Sequence, residues 1–299
     1  MKKTWTVGTR GSKLALTQTN LVIDRLKGIY PSFDFSIEII KTTGDSVWDT
    51  PLYLIGEKGL FIKEIEEALA HGDIDLAVHS MKDLPTDLHD GCALSAVLPR
   101  EDPRDTFVSL TYERLIDTPH GARIGTSSMR RKAQLLALRP DLEIVPLRGN
   151  VDTRLRKLAE QDLDGVVLAY AGLKRMGFAD KVKEMLPFEV MVPPSGQGAI
   201  GIETRASDEA AEMVVPLDDP VTRGEVTLER LFQVGVGGGC SVPLGINASL
   251  SHERVTLHAV FGTEEGGIIF RERAEGAKEE AEGIVRRMLG ELKRAQAGA

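Results

Sequence analysis

The sequence predicts an α/β protein built from two successive strand–helix series and a smaller C-terminal segment. Short apolar runs alternate with amphipathic stretches over the first two-thirds of the chain, and polar loops follow most of the runs. A charged, proline-bearing hinge at residues 99–104 separates the two series, and a linker follows at residues 216–220. The length of 299 residues is sufficient for two or three domains.

Composition narrows the possible functions. Hydrophobic residues make up 42% of the chain and charged residues 27%, which is ordinary for a globular protein. The formal net charge of −8 argues against a nucleic-acid partner. No secretory signal or membrane span is visible, so we expect a cytoplasmic protein with no membrane partner. The six histidines show no paired ligand spacing, and the two cysteines lie in unlike contexts, so we expect neither a metal site nor a disulfide.

The first series begins with a strand and a capped helix. Thr4–Gly8 reads as a strand, and Ser12 is a suitable N-cap for a helix whose apolar face carries Leu14, Leu21 and Leu26. Arg10 adds a positive charge where backbone N–H groups at the helix start can bind an anion. Alternation over residues 35–39 predicts a second strand, and helical spacing predicts a helix over residues 60–70.

Two polar segments of the first series are candidates for ligand binding. The composition of residues 41–59 predicts a long polar loop, a type that is often a lid or disordered. The apolar run Ile74–Val78 opens into His79-Ser80-Met81-Lys82-Asp83-Leu84-Pro85, and α/β folds place ligand groups at such turns. A solvated charge pair at a strand end is the alternative for Lys82 and Asp83. Residues 92–98 predict a further strand, with Cys92 in the core.

The second series repeats a polar strand-to-helix junction three times. Strands near residues 123–125, 142–147 and 166–168 lead into segments rich in arginine and in hydroxyl or amide side chains. Because the guanidinium fork matches a carboxylate, three such junctions on one sheet edge predict a site for a polycarboxylate. Arginines scattered over the surface are the alternative interpretation. A strand over residues 199–203 then returns the chain to the first sheet.

The C-terminal segment carries a glycine-rich stretch around Cys240. A helix over residues 222–232 precedes the stretch 235–245, and three strands and a helix over residues 278–295 follow. Glycine admits unusual backbone angles, so residues 235–245 predict a tight turn that presents the Cys240 thiol. A flexible connector with a structural thiol is the alternative.

Six segments of the chain resemble the hydroxymethylbilane synthase (porphobilinogen deaminase) family. They occur in order over nearly the whole sequence, and each is several residues long: 59–66, 79–85, 125–131, 147–155, 196–199 and 238–243. One departure is that Gly235 and Gly237 stand where larger, often polar, residues are expected, which predicts a looser cysteine loop.

The resemblance implies two periplasmic-binding-protein-like (type II) α/β domains with a cleft between them, plus a small C-terminal α/β domain with a three-stranded sheet. The expected boundaries are residues 1–98 with 198–216, residues 99–197, and residues 222–299.

The same resemblance implies a transferase of tetrapyrrole biosynthesis (haem, sirohaem, corrinoid or chlorophyll). Such an enzyme joins four porphobilinogen molecules, with loss of ammonia, onto a dipyrromethane cofactor held by a thioether, and releases hydroxymethylbilane. It implies a monomer whose product passes to uroporphyrinogen-III synthase. Carried onto this chain, Asp83 is the catalytic residue, Cys240 the cofactor attachment and Phe61 part of the lid. The implied cofactor and substrate contacts are Arg10, Ser12, Lys82, Thr126, Ser128, Arg130, Arg131, Arg148, Asn150, Arg154, Arg175 and Gln197.

Two other functions explain part of the pattern. A two-lobed anion receptor without enzymatic activity explains the fold and the arginines, but neither the cysteine loop nor the third segment. A cysteine-dependent acyltransferase or hydrolase needs a histidine base, and His79 is the one candidate near a predicted site.

Overall fold

The computed structural model describes residues 3–42, 62–237, 242–263 and 265–298. The chain forms two compact units, one comprising Met1–Arg100 with Ala199–Arg223 and the other Glu101–Gly198 with Gly224–Ala299. Within the described ranges, no helix is both long enough and apolar enough to cross a bilayer.

Strands and helices alternate along most of the chain. In order they are β1 (Thr4–Thr9), α1 (Lys13–Ile29), β2 (Asp34–Ile39), α2 (Lys63–His71), β3 (Leu76–Ser80), β4 (Cys92–Val97), β5 (Asp105–Val108), β6 (Arg123–Gly125), α3 (Met129–Leu138), β7 (Glu143–Val145), α4 (Val151–Glu160), β8 (Gly165–Ala169), α5 (Tyr170–Arg175), β9 (Glu184–Met185), β10 (Ile200–Arg205), α6 (Glu209–Val214), α7 (Pro220–Val236), β11 (Leu244–Leu250), β12 (Arg254–Gly262), β13 (Ile268–Ala277) and α8 (Ala281–Gly298).

The first unit contains a five-stranded sheet in the order β2-β1-β3-β10-β4. β1 is parallel to β2 and β3, whereas β10 is antiparallel to both of its neighbours. The return of the chain through β10 to this sheet confirms the prediction for residues 199–203. Trp5, Val22 and Leu26 are fully buried against it, and each such side chain contributes roughly 1.5–3 kcal/mol by leaving water.

One prediction for α1 is wrong. Leu21 was expected on the apolar face, but it is 36% exposed, and Val22 and Ile23 take the buried positions together with Leu26. The polar residues Gln18 and Thr19 are also buried on that side. Because the buried face of α1 includes polar residues, the spacing of apolar residues alone predicts the wrong position for this face.

The second unit contains a five-stranded sheet with the same spatial order, β7-β6-β8-β5-β9. Its fourth strand, β5, is antiparallel to both neighbours, as β10 is in the first sheet. β5 and β10 each follow a point at which the chain passes from one unit to the other. The repeated topology confirms the expected α/β class with two related sheets.

The C-terminal segment of the second unit forms the antiparallel sheet β11-β12-β13. Phe232 of α7 and Met288 of α8 pack with Ile246, Leu257 and other residues of this sheet in a separate apolar cluster. The three predicted strands and the terminal helix are thus confirmed.

Helix α7 extends further than the sequence pattern indicated. Gly235 and Val236 belong to it, although both were expected in a turn, and Gly237 then adopts a φ of 72°. A Cβ at Gly235 would lie 2.4 Å from Leu289 Cδ1, so a larger residue there would require the Leu289 side chain of α8 to move. The departure at Gly235 therefore has a packing reason. The cysteine loop itself, residues 238–241, lies outside the described residues.

Candidate active site

In the first unit, the candidate residues gather at one edge of the sheet. Arg10 follows directly after β1, and Lys82 and Asp83 follow after β3. The antiparallel strand β10 starts at this edge, because Ile200 pairs with Ser80 at the end of β3. Ligands of open α/β sheets bind outside this carboxyl edge of the parallel strands.

Ser12 prepares the start of α1 at the same edge. Its Oγ accepts a hydrogen bond from Ala15 N at 3.2 Å, and its own backbone is extended, so the predicted N-cap is confirmed. The hydroxyl is therefore already engaged by the helix.

Asp83 stands on a short turn that is held from both sides. Met81 and Leu84 flank Lys82 and Asp83 and are both buried, with Met81 N donating to Ala199 O at 3.1 Å. The Asp83 side chain is exposed, and within the described residues its carboxylate forms no hydrogen bond or ion pair. The fold thus offers this charge to solvent or ligand on a fixed backbone.

Beneath the turn lie two polar pairs that sequence reasoning missed. Gln18 of α1 exchanges hydrogen bonds of 2.9 and 3.0 Å with Ser80 Oγ. His79 Nε2 lies 3.0 Å from Glu203 Oε2, and neither atom has a hydrogen-bond partner among the described residues. The partners are far apart in sequence, and no local pattern relates them.

The position of His79 bears on the acyltransferase alternative. Its side chain is only 3% exposed and is committed to Glu203 within the first unit. A general base must reach the proton that it removes. A buried, paired imidazole is poorly suited to that role.

In the second unit, the site is organised around Asp105, which sequence reasoning did not select. Asp105 opens the antiparallel strand β5 and pairs with Ala169 at the end of β8, which brings it to the carboxyl edge of the parallel strands. It is fully buried. Its Oδ2 accepts from Arg130 Nη2 at 2.8 Å, and its Oδ1 accepts from Arg131 Nη2 at 2.7 Å and from Gln197 Nε2 at 3.0 Å.

Thr126 and Ser128 fix the start of the helix that carries both arginines. Thr126 Oγ1 accepts from Ser128 N at 3.2 Å, and Ser128 Oγ accepts from Arg131 N at 3.4 Å as the N-cap of α3. Arg130 and Arg131 thus fall in the first turn of that helix and are both about 5% exposed. Gln197 is equally buried and also donates to Pro103 O at 2.7 Å.

This buried cluster holds one carboxylate and two guanidinium groups. Burial by itself would raise the pKa of the Asp105 carboxyl, but the guanidinium groups of Arg130 and Arg131 outweigh burial and hold that pKa far below its ordinary value. Burial lowers the pKa of the Arg130 guanidinium, and Asp105 offsets this only in part. One buried carboxylate therefore faces two buried cations.

Arg131 retains a capacity to bind a ligand. Its Nε is buried and has no hydrogen-bond partner among the described residues. A guanidinium with an unused buried donor fits a carboxylate group, since a buried donor is costly to leave unpaired.

The junction after β7 holds three further candidates. Arg154 Nε donates to Gly149 O at 2.7 Å, and Lys157 Nζ donates to Arg148 O at 3.2 Å, so two side chains of α4 brace the loop. Gly149 has a φ of 118°, and a Cβ there would lie 2.6 Å from Thr153 Cγ2. Asn150 is the N-cap residue of α4, but its side chain makes no capping bond.

Arg175 completes the described part of the predicted set. It ends α5, and its Nη2 donates to Gly198 O at 2.6 Å, next to Gln197. The structure thus brings Arg130, Arg131 and Gln197 into one cluster and places Arg148, Arg154 and Arg175 on the loops and helix ends around the same sheet. The predicted attachment residue Cys240, the lid residue Phe61 and nearly all of the lid loop lie outside the described residues.

Comparison with known proteins assigns the chain to a family. Two family models match it: porphobilinogen deaminase, dipyrromethane cofactor binding domain, over residues 5–213, and porphobilinogen deaminase, C-terminal domain, over residues 224–294. The porphobilinogen deaminase of Carboxydothermus hydrogenoformans is 48% identical over 95% of this chain and 92% of its own length. That of Syntrophus aciditrophicus is 51% identical over 92% of this chain and 90% of its own.

Among solved structures, a methionine-binding protein is similar with a TM-score of 0.44 and 14% identity, covering 78% of this chain and 95% of that one. The fold class rests on the strand order of the two sheets and not on this likeness. The sequence matches extend over both compact units. The chain belongs to the porphobilinogen deaminase family.

Proposed function

We propose that the protein is a hydroxymethylbilane synthase, which condenses four porphobilinogen molecules with loss of ammonia. The observation that carries the proposal is the match to both family models, which together span residues 5–213 and 224–294. The buried arginine cluster around Asp105 and the exposed Asp83 supply chemistry suited to that reaction.

Asp83 is the proposed catalytic residue. Loss of ammonia and attack by a pyrrole both develop positive charge on a pyrrole nitrogen, and a preorganised carboxylate stabilises such charge. Asp83 meets this need because its backbone is held by buried neighbours and its carboxylate has no partner among the described residues. It acts through its charge and needs no covalent bond to the substrate.

The basic and polar residues are proposed to bind the carboxylates of the pyrroles. Guanidinium groups do so in bidentate fashion. The members of this set, which contribute charge or hydrogen bonds, are Arg10, Ser12, Lys82, Thr126, Ser128, Arg130, Arg131, Arg148, Asn150, Arg154, Arg175 and Gln197. We expect truncation of Arg130 or Arg131 to impair cofactor loading, and truncation of Arg148 to affect mainly substrate engagement and elongation.

Cys240 is the proposed attachment point of the dipyrromethane cofactor. Residues 5–213 match the family's dipyrromethane cofactor binding domain, and the unpartnered Nε of Arg131 fits a carboxylate of that group. When bound, the cofactor supplies the electron-rich pyrrole to which substrate units are joined. The protein holds it by the thiol and neutralises its carboxylates.

The test is intact-mass spectrometry of the purified protein. The polypeptide should be heavier by one dipyrromethane, and Cys240→Ser should remove the increment. Cys92→Ser is the matched control and should keep it, because Cys92 lies at the start of β4 in the first unit. An unmodified protein that is fully active as a synthase would reject covalent attachment. Binding of porphobilinogen without turnover would favour the anion receptor.

Domain division, assembly and location belong to the same proposal. Three sheets with separate apolar clusters support domains of residues 1–98 with 198–216, 99–197 and 222–299. We further propose a cytoplasmic monomer that passes its product to uroporphyrinogen-III synthase. Sedimentation velocity should show one species of the chain's mass of 32.6 kDa, and a dimer would reject the monomer.

A further inference from the structure

The two neighbouring arginines of α3 are engaged to different degrees. Arg130 Nη2 donates a hydrogen bond to Asp105 Oδ2 at 2.8 Å, and its Nη1 donates to Val192 O at 2.6 Å. Arg131 gives Asp105 one terminal nitrogen at 2.7 Å, and its buried Nε meets no acceptor among the described residues. Both guanidiniums therefore touch the same carboxylate, but only Arg131 has an unused donor of this kind.

Backbone contacts reinforce the difference. Gln134 Nε2 donates to Val192 O at 3.1 Å, and Gln134 Oε1 accepts from Val192 N at 2.8 Å, so the carbonyl that binds Arg130 is itself fixed. Arg130 is thus held between two anchored acceptors. Arg131 is anchored at one end only.

Charge counting leads to the same distinction. Asp105 is fully buried and carries one negative charge against the two positive charges of Arg130 and Arg131. One positive charge is left, and a buried cation needs a partner. A single additional carboxylate at the free donor of Arg131 would complete the balance.

We propose that Asp105 is a positioning residue that neutralises Arg130 and orients Arg131, so that Arg131 receives one carboxylate of the bound cofactor. The inference rests on the proposed function, because it takes the ligand to be the dipyrromethane. It assigns unlike roles to adjacent arginines: Arg130 secures Asp105, and Arg131 binds the ligand.

Chemical rescue tests the positioning role. Asp105→Ala protein, prepared without cofactor, is incubated with porphobilinogen, and the loaded fraction is followed by intact-mass spectrometry. We expect loading to slow by at least ~10-fold, since one partner of a buried pair is removed. Formate should restore much of the rate because it replaces the missing carboxylate, whereas neutral formamide of similar size should not.

Asp102→Ala is the matched control. Asp102 pairs with Arg104 in the same unit, but the two side chains are 26% and 38% exposed. Its loading rate should equal that of the wild type and should not respond to formate. Equal rescue by formate and formamide in Asp105→Ala, or unimpaired loading without either, would overturn the proposal.

A second variant separates positioning from stability. In Asp105→Leu/Arg130→Met the buried carboxylate and one of its two cations are both replaced by apolar side chains, so the midpoint of thermal unfolding should lie above that of Asp105→Ala. Arg131 has nevertheless lost its orienting contact, so loading should remain slow. Loading at the wild-type rate in this variant would reject the role of Asp105. Absence of the mass increment from the wild type itself would instead reject the proposed function.

Discussion

The two five-stranded sheets share one topology, but the acidic residue at the edge is exposed in the first sheet and buried in the second. In the first sheet, the antiparallel strand begins with the apolar Ile200, and the acidic residue Asp83 stands exposed after β3. In the second, the antiparallel strand begins with Asp105, which is buried and bound by Arg130, Arg131 and Gln197. The same edge of the same fold thus exposes one carboxylate and buries another.

The difference shows that an acidic residue at a sheet edge is not functional by position alone. Its partners decide its role. A carboxylate whose charge is already balanced by buried cations cannot stabilise a further cation without losing them. An exposed carboxylate on a rigid turn can.

The largest expected effect concerns the exposed carboxylate of Asp83. Asp83→Asn keeps the size of the side chain and removes its charge, so turnover should fall by at least ~10²-fold. The free energy of unfolding should change by no more than ~0.5 kcal/mol, because the carboxylate supports no described contact. Steady-state rates and urea unfolding measure the two quantities. Asp83→Glu, which keeps the charge, should retain more activity than Asp83→Asn. Near-normal turnover in folded, cofactor-bearing Asp83→Asn would remove Asp83 from the mechanism.

The next largest effect concerns the buried ion pair between Arg130 and Asp105. Arg130→Met breaks the buried pair with Asp105, and we expect a loss of about 3–5 kcal/mol in the free energy of unfolding. Arg104→Met is the control, because its ion pair with Asp102 is partly exposed and should be worth no more than ~1 kcal/mol. Urea unfolding of both variants measures the difference, and equal losses would contradict the contrast.

Acid stability should test the buried ion pairs of Asp105 further. The pKa of Asp105 is lowered in the folded protein, so its contribution is fully present above the ordinary value of 3.8 and is lost as the pH falls below it toward the folded pKa. The difference in unfolding free energy between the wild type and Asp105→Asn should shrink by on the order of 2 kcal/mol across that range. Urea titrations between pH 5 and about 2.5 would show this, whereas a constant difference would contradict it.

The smallest effect compares the two helix caps. Ser12 and Ser128 each cap the helix that follows a strand, with Oγ accepting at 3.2 and 3.4 Å. Alanine at either position should cost about 1 kcal/mol of unfolding free energy. Ser128→Ala should in addition slow cofactor loading, because the N–H that it caps belongs to Arg131. Equal loading in the two variants would argue that the cap does not orient the arginine pair.

Local patterns in the sequence determined most of the secondary structure. The Ser12 cap and the three C-terminal strands were both predictable, because each depends on neighbours within a few residues. The polar junctions of the second series were also visible, since arginine and hydroxyl residues follow each apolar run. The family resemblance rests on the same kind of local segment.

Tertiary structure alone decided which charges meet. Asp105 lies 25 and 26 residues from its arginine partners, and the antiparallel register with Ala169 is what brings it to the sheet edge. Gln18 and Ser80 meet across 62 residues. Gly235 lies in α7 opposite Leu289 of another helix, where an added Cβ would meet the Leu289 side chain. Contacts of this kind depend on strand register and helix packing, which are set by burial of the whole core and leave no periodic signal in any one segment.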